Sequence, residues 1–243
     1  MPLYTTPTGP LYFSHVPRTG GSNLEDYLEA RFGTPTMLDR NWMRSWVDGG
    51  WRSESLLSSP QHVTAADAVR LAPPEANLFA IVRDPVTRIQ SEFRFQARRG
   101  FRRRRLTELG FSTWLGIAIA AAQRDPRIFD NHLRPQADMV PTRAEVFRLE
   151  AGHDDLVAWL DALTGTTAPS LSIGKGEPGQ RHLAVSPSAA DLRLISRFYA
   201  SDYRRFGYPV PGAAARNIGS LGRSVLCAAA APMVKWMYFR GQL

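Results

Sequence analysis

One segment, residues 11–32, constrains the fold of this chain more than any other, because a hydrophobic strand pattern runs through a glycine-bearing turn directly into an amphipathic helix pattern. Gly20 and Gly21 permit backbone conformations that a β-carbon forbids. Ser22 and Glu25 have the S-x-x-E spacing of a capping box, which predicts the start of the helix. Since a helix N-terminus offers N–H groups and partial positive charge, the segment predicts an anion-binding turn.

A second strand-to-helix transition follows further along the chain. An apolar run, LFAIV, ends at Arg83, and Asp84 and Pro85 are residue types typical of a helix N-cap and a first helical position. Arg88 and Ser91 are three residues apart, so they share a helix face. Two cations and a hydroxyl group near one helix start predict a second anion site. The alternative is that Arg83 pairs with a neighbouring carboxylate and that Arg88 is a solvated surface charge.

Taken in this order, the two segments resemble the sulfotransferases that use 3′-phosphoadenosine-5′-phosphosulfate (PAPS), in the carbohydrate branch related to heparan and chondroitin O-sulfotransferases. HVPRTGGSN (15–23) resembles the phosphosulfate loop of that family, and VRDPVTRIQSEF (82–93) resembles its element for the 3′-phosphate. DNHLRPQ (130–136) and YASDYRRFGY (199–208) resemble two later stretches. The resemblance therefore spans residues 11–209.

The resemblance implies an α/β fold of three layers, with a central, mainly parallel sheet and a P-loop-like anion site. We expect the sulfotransferase domain at residues 1–210 and a C-terminal extension at 211–243. The implied reaction is in-line transfer of the sulfuryl group from PAPS to a hydroxyl group of a carbohydrate, a polysaccharide or glycolipid with or without acidic groups, and 3′,5′-ADP leaves. We expect no metal, because the sequence has one cysteine, no paired histidines and no carboxylate cluster.

The resemblance also assigns the cofactor-binding residues. They are Arg18, Thr19, Gly20, Gly21, Ser22, Asn23, Arg83, Arg88, Ser91, Lys175 and Arg181. Arg18 stands where the family usually has lysine. An arginine can neutralise charge on the bridging oxygen of the donor, but it cannot easily give a proton to the leaving group. We therefore expect lower turnover, and a protein that binds nucleotide or polyanion without catalysis stays an alternative.

A catalytic base must take the proton of the acceptor hydroxyl, and histidine is the first candidate because it titrates near neutral pH. His62 corresponds in order to the base of the heparan 2-O branch, and Thr64 and Asp67 after it form a predicted capping pair. His132 is the alternative base, or else a contact of acceptor or cofactor. If a carboxylate is used instead, Asp67 or Asp130 is the candidate. His15, directly before the turn, is expected to pack under it or to touch phosphate.

Composition indicates one medium-sized domain, since 243 residues with 44% hydrophobic content can bury a full core. The single cysteine fits a reducing compartment, and the N-terminus lacks the pattern of a signal peptide. We therefore expect a cytoplasmic enzyme, and the abundance of alanine and arginine suggests a bacterial source. A kinase-like phosphate-donor transferase is a further alternative, but such enzymes recruit Mg²⁺, for which the sequence offers no evident ligands.

The net charge is +8, and residues 97–105 contain six arginines. This stretch is either a solvated face or a contact for an acidic substrate or membrane. Nucleic acid is the least favoured partner, because the stretch has no interleaved stacking aromatics and the chain has no nucleic-acid signature. Residues 216–243 end in an apolar run with aromatic residues beside Lys235 and Arg240. They suit a peripheral membrane contact or a partner surface, or else a helix docked on the domain.

Hydrophobic spacing predicts the remaining elements. We expect helices at 111–124, 154–163 and 189–206 and a short strand at 144–149. Trp42, Trp46 and Trp51 either line an acceptor groove, where sugar rings stack on indoles, or belong to the core. Lys175 and Arg181 lie in a loop that could close over the nucleotide.

Overall fold

The computed structural model describes residues 2–36, 59, 61–98, 106–167, 173, 185–211 and 221–239. The chain divides into two compact units. The first unit consists of Met1–Arg83 and Gln136–Glu177, and the second of Asp84–Pro135 and Pro178–Leu243.

A mixed four-stranded sheet forms the centre of the first unit. Its strands are β1 (Leu3–Thr6), β2 (Gly9–Ser14), β3 (Asn77–Val82) and β4 (Glu145–Arg148), in the spatial order β1-β2-β3-β4. β1 is antiparallel to β2, whereas β2, β3 and β4 are parallel to one another. Phe13 is paired with Phe79 and Ala80 with Val146. The prediction of an α/β fold with a mainly parallel sheet is confirmed.

The helices follow in chain order. They are α1 (Gly21–Phe32), α2 (Ala65–Leu71), α3 (Pro85–Arg98), α4 (Phe111–Arg124), α5 (Asp154–Thr164), α6 (Ala189–Phe198), α7 (Ala200–Phe206) and α8 (Leu221–Phe239). Short 3₁₀ turns lie at Gln136–Asp138 and Leu149–Ala151. The predicted helix at 111–124 is confirmed. The helix predicted at 154–163 is observed one residue longer at its C-terminal end, and the strand predicted at 144–149 is observed one residue shorter at each end.

Helices cover both faces of the sheet. Successive side chains of a strand point to opposite faces, so each face presents apolar side chains that a layer of helices can bury. On one face, Leu11 and Phe13 of β2 pack with α1 and α5 through Leu24, Leu28 and Leu160. On the other face, Tyr12 of β2 and Leu78 of β3 pack with Val63 and with Ala68 of α2. The strands of a parallel sheet are buried on both faces, and residues 78–82 of β3 are accordingly all buried. Within the first unit, the sheet is therefore the middle of three layers.

Two helix boundaries have residue types typical of helix ends, and one predicted capping signal fails. Gly33 ends α1 at a φ of 83°, a conformation that favours glycine, and Asp84 caps α3 by accepting a 2.9 Å hydrogen bond from the Thr87 N–H. The capping box predicted at Ser22 and Glu25 is wrong. The N-cap is Gly20, which has no side chain to cap with, and the carboxylate of Glu25 is bound elsewhere, by His15.

In the second unit, α4 packs against α6 and α8, and α3 packs against α6. Trp114 of α4 is fully buried, with its ring 5.2 Å from that of Phe93 of α3. Ser188 and Asp191 form a reciprocal capping box at the start of α6. The single helix predicted at 189–206 is observed as two helices, α6 and α7, because the backbone leaves helical geometry at Tyr199.

The C-terminal helix α8 is docked on α4, as one of the alternatives for this segment predicted. Cys227 of α8 lies against Gly116 of α4, and Lys235 Nζ is 3.1 Å from a carboxylate oxygen of Asp125. The pKa of Asp125 is lowered to about 2, mainly by its hydrogen bond from Arg127, with Lys235 contributing. Among the described residues, no helix is both long enough and apolar enough to cross a bilayer.

Several predictions concern residues outside the described part of the chain. These are Trp42, Trp46 and Trp51, the loop with Lys175 and Arg181, and residues 99–105 of the arginine-rich stretch.

We predict that Gly116→Ala destabilises the protein, because an added β-carbon would lie 2.6 Å from Cys227 Sγ. Overpacking of this kind costs about 1–3 kcal/mol. The double variant Gly116→Ala/Cys227→Ala removes the sulfur and should recover most of that loss. Thermal unfolding of the wild type, both single variants and the double variant measures the coupling. Strictly additive effects of the two substitutions would contradict this packing.

Candidate functional site

The turn between β2 and α1 is held in an unusual backbone conformation. Arg18 and Gly20 have φ values of 69° and 86°, in the left-handed region that favours glycine. For the non-glycine residue Arg18 this conformation costs about 1–2 kcal/mol. The first turn of an α-helix offers N–H groups that have no partner within the helix, and α1 has no acidic residue there. The turn is therefore suited to bind an anion.

His15 lies directly under this turn, as expected from its position in the sequence. It is 5% exposed, and a β-carbon at Gly21 would lie 2.4 Å from its Nε2 atom. Only glycine fits at Gly21 while His15 keeps this place. The other ring nitrogen, Nδ1, is 2.5 Å from Glu25 Oε1, and Gln61 Nε2 donates to Glu25 Oε2 at 3.1 Å. Burial opposes ionisation of Glu25, but His15 and Gln61 outweigh burial, so the pKa of Glu25 is lowered.

The predicted cofactor residues of the turn differ in what their side chains do. The Thr19 hydroxyl is buried and donates to the Val16 carbonyl at 2.8 Å, so this side chain shapes the turn from inside. Ser22 and Gly20 are exposed, and Asn23 and Arg18 are half-buried. The side chains of the turn that reach its surface, at least in part, are therefore those of Arg18, Ser22 and Asn23.

Arg83, the residue after β3 in the first unit, connects the second predicted anion-binding motif to the β2–α1 turn. Its Nη1 atom donates to the carbonyl of Arg18 at 3.2 Å, although 65 residues separate the two in sequence. Its backbone N–H donates to Gln136 Oε1 at 2.9 Å, and its carbonyl accepts from Gln136 Nε2 at 2.8 Å. Gln136 is fully buried. Its side-chain amide forms with the backbone of Arg83 the two hydrogen bonds that a neighbouring strand would form beyond the end of β3. Sequence reasoning missed this role, although Gln136 closes the DNHLRPQ stretch.

Arg88, in the second unit, is buried rather than solvated. It is 2% exposed, and its Nη2 atom donates to the carbonyls of His132 and Arg134 at 2.9 and 3.0 Å. Its guanidinium lies 5.6 Å from the ring centre of Tyr199. The alternative of a surface charge is therefore wrong for Arg88. Ser91 is buried on the same helix, at 4% exposure.

The hydrogen bonds from Arg88 to the carbonyls of His132 and Arg134 hold a segment with a strained backbone. Phe129, Asp130 and Asn131 have consecutive φ values of 53°, 58° and 61°. Non-glycine residues in this region cost about 1–3 kcal/mol each and persist only where the surroundings hold them, often at functional sites. The Tyr199 hydroxyl donates to the Leu133 carbonyl at 3.0 Å, and burial raises the pKa of Tyr199, so the hydroxyl stays protonated. We call residues 129–134 the left-handed segment.

His132 is oriented within the left-handed segment by two contacts that sequence reasoning did not identify. Its Nδ1 atom is 2.8 Å from Glu92 Oε2, and its ring stacks on Phe95 with centroids 5.2 Å apart. Glu92 is almost fully buried. Both residues are on α3. Glu92 lies within the second motif (82–93) and Phe95 follows it by two residues, and this was the available signal.

His62, the predicted base, lies in the first unit beside His15. It is 7% exposed, and the two imidazole rings meet edge to face with centroids 5.2 Å apart. Its Nδ1 atom is 3.5 Å from Ser59 Oγ, which directs the second ring nitrogen, Nε2, away from Ser59. The predicted capping pair is confirmed, since the Asp67 N–H donates to Thr64 Oγ1 at 3.2 Å. Asp67 also accepts from the Thr64 hydroxyl, so its carboxylate serves the start of α2.

Comparison with known proteins agrees with this arrangement of motifs. Residues 1–209 match the sulfotransferase family. The chain belongs to the sulfotransferase family. No curated protein and no solved structure matches it. The family match includes both predicted anion-binding motifs and the left-handed segment, and it ends before α8.

The turn between β2 and α1 of this sulfotransferase combines several groups that can bind an anion. The β2–α1 turn combines backbone amides at a helix N-terminus with Arg18, and Arg83 reaches the same turn. The carboxylate nearest to the turn in sequence, Glu25, is bound to His15 and Gln61. The turn is therefore electropositive on the side of its amides.

We predict that Glu25→Gln in this sulfotransferase weakens the fold most at neutral pH. Because the folded protein lowers the pKa of Glu25, its carboxylate stabilises the fold above the ordinary pKa of glutamate, about 4.3, and this contribution is lost as pH falls through the lower folded value. The loss at neutral pH should be about 1–3 kcal/mol. Urea unfolding at several pH values should show the wild type and the variant converging towards acid.

Glu29→Gln is the matched control, since Glu29 is an exposed carboxylate on the same helix. Its unfolding free energy should stay close to that of the wild type throughout. A Glu25→Gln protein whose deficit is the same at pH 3 and pH 7 would rule out the ionised Glu25 carboxylate as the cause.

Proposed function

We propose that this chain is a PAPS-dependent O-sulfotransferase that moves the sulfuryl group to a hydroxyl group of a carbohydrate acceptor. The observation that carries the proposal is the hydrogen bond from Arg83 to the carbonyl of Arg18. It joins the strand-to-helix turn that resembles a phosphosulfate loop to the motif that resembles a 3′-phosphate element. A nucleotide with phosphates at both the 5′ and 3′ positions is the ligand that needs both.

The bound donor would supply an activated sulfuryl group and a stable leaving group, 3′,5′-ADP. In this proposal, the amides of residues 19–23 and the side chain of Arg18 bind the 5′-phosphosulfate. Arg83, with Arg88 and Ser91 of the same motif, serves the 3′-phosphate. Lys175 and Arg181, outside the described residues, are proposed to cover the nucleotide.

Arg18 has the electrostatic role in the transfer. Its guanidinium stays charged at all physiological pH values, so it stabilises negative charge on the leaving phosphate without giving up a proton. The left-handed φ of Arg18 and the bond from Arg83 to its carbonyl fix the backbone from which this side chain extends. Preorganised charge of this kind needs no rearrangement during the reaction.

His62 is proposed as the base that takes the proton of the acceptor hydroxyl. Ser59 lies beside Nδ1, so Nε2 is the nitrogen proposed to meet the acceptor. The ring of His15 packs against His62 and limits its movement. His132 is the alternative, because Glu92 orients its ring through Nδ1 in the same way that an acid orients a catalytic histidine.

A carbohydrate is proposed as the acceptor because the motifs resemble those of the carbohydrate branch. The net charge of +8 would attract an acidic glycan and does not exclude a neutral one.

We predict that the protein binds 3′,5′-ADP without Mg²⁺ and more tightly than ADP or ATP. Arg83→Ala should weaken that binding about tenfold or more, since a charge-assisted contact to phosphate and the brace on the turn are both lost. Calorimetric titration measures each affinity. Arg143→Ala is the matched control, because Arg143 also donates to a backbone carbonyl of the first unit but belongs to neither motif.

Preference for ATP with Mg²⁺ would replace this proposal with a phosphoryl-transfer function. The absence of any nucleotide binding would contradict it outright. Tight binding of 3′,5′-ADP without transfer to any of a broad panel of glycans would indicate a nucleotide-binding protein that has lost turnover.

We predict that His62→Ala lowers turnover about 10²–10⁴-fold, as loss of a general base does, while 3′,5′-ADP binding is retained. Release of 3′,5′-ADP from PAPS in the presence of glycan acceptors measures turnover. His153→Ala, at a half-buried histidine outside both motifs, is the control and should keep activity. Full activity of His62→Ala together with loss in His132→Ala would transfer the role to His132.

A further inference from the structure

Helix α8 presents an apolar face with exposed side chains. The residues on this outer face that are exposed are Leu226, Ala228, Ala229, Pro232, Met233 and Trp236. Leu226 is 72% exposed, Met233 58% and Trp236 50%. Leu226 and Met233 are seven residues apart, so they lie on the same side of the helix.

The opposite face of α8 is what docks on the rest of the second unit. Cys227, Ala231 and Val234 are buried, at the spacing of four and three residues that marks one side of a helix. Residues 224–234, SVLCAAAAPMV, contain no charged side chain. A helix that is apolar on all sides is normally buried on all sides, whereas here one side is exposed to water.

A second copy of the chain does not suit this face. The eleven residues from 226 to 236 give a stripe only about 16 Å long. One helix face of that length, with two alanines and a proline among its six exposed residues, is far smaller than the ~800 Å² that each partner of a stable dimer buries. Two copies that each carry a net charge of +8 would also repel one another.

An anionic lipid surface suits the same features. A membrane requires no shape complementarity, it accepts short apolar side chains, and anionic headgroups attract a basic protein. Trp236 lies near the end of the stripe, and indole rings favour the boundary between headgroups and acyl chains. Lys235 is beside it, 41% exposed while bonded to Asp125. No described helix can span a bilayer, so α8 would lie in the plane of the surface.

We propose that the outer face of α8 is a contact for anionic membrane surfaces, with Leu226, Met233 and Trp236 inserted at the headgroup boundary. This inference depends on exposure, length and charge, and not on sulfotransfer. Its test uses no acceptor and no PAPS, so its outcome is separate from that of the proposed function.

Flotation of the full chain with lipid vesicles tests the proposal. We expect binding to vesicles of phosphatidylcholine and phosphatidylglycerol in equal parts, weaker binding to phosphatidylcholine alone, and loss of part of the binding at high salt. Leu226→Asp/Met233→Asp should weaken partition about tenfold or more, because two apolar side chains can no longer be buried. Val69→Asp is the matched control, since Val69 is an apolar residue of α2 with 55% exposure, and it should bind as the wild type does.

The folded state of the double variant is checked by circular dichroism and by thermal unfolding, and Leu226→Gln/Met233→Gln is the replacement if the aspartates unfold α8. No flotation of the wild type would overturn the proposal, and so would equal flotation of the wild type and a folded double variant. Light scattering during gel filtration tests the alternative that a second copy of the chain binds this face. A wild-type dimer that the double variant converts to monomer, without vesicle binding, would assign the face to a second copy.

Discussion

The missing side chain of Gly21 is the constraint on which the candidate site depends. The imidazole of His15 occupies the space that any larger residue would need. Because the same ring is bonded to Glu25, the end of β2, the start of α1 and the first turns of that helix cannot shift independently. Arg83 then ties the end of β3 to the same turn. A tight hydrogen-bonded core under the turn thus sets the direction of its amides.

The motif around Arg83 and Arg88 serves two different loops. Arg83 braces the β2–α1 turn in the first unit, and Arg88 braces the left-handed segment in the second. Both loops contain non-glycine residues with positive φ, and such strain persists where neighbouring contacts overcome it. Two arginines five residues apart therefore act first on protein carbonyls, and any phosphate that they bind meets groups whose positions are already fixed. Preorganisation of this kind lowers the cost of binding an anion.

Local signals predicted the elements well, and non-local contacts account for the failures. Gly33, Asp84 and Pro85 mark helix ends whatever surrounds them, so these boundaries could be read from the sequence. The spacing of Ser22 and Glu25 could not show that His15 would compete for the carboxylate. Nor could any pattern show that the Gln136 side chain would substitute for a strand neighbour beside Arg83, because it comes from 53 residues away. The catalytic candidates were found through motifs, and the residues that orient them were not.

The position of Cys227 has a consequence for observing motion in this protein. The only thiol of the chain is 6% exposed and faces α4 at Gly116. A sulfhydryl reagent can therefore reach it only when α8 separates from α4. Where reclosure is faster than modification, the labelling rate is proportional to the population of the opened form, as in amide hydrogen exchange. The cysteine is thus an intrinsic gauge of how often the last helix detaches while the rest of the molecule stays folded.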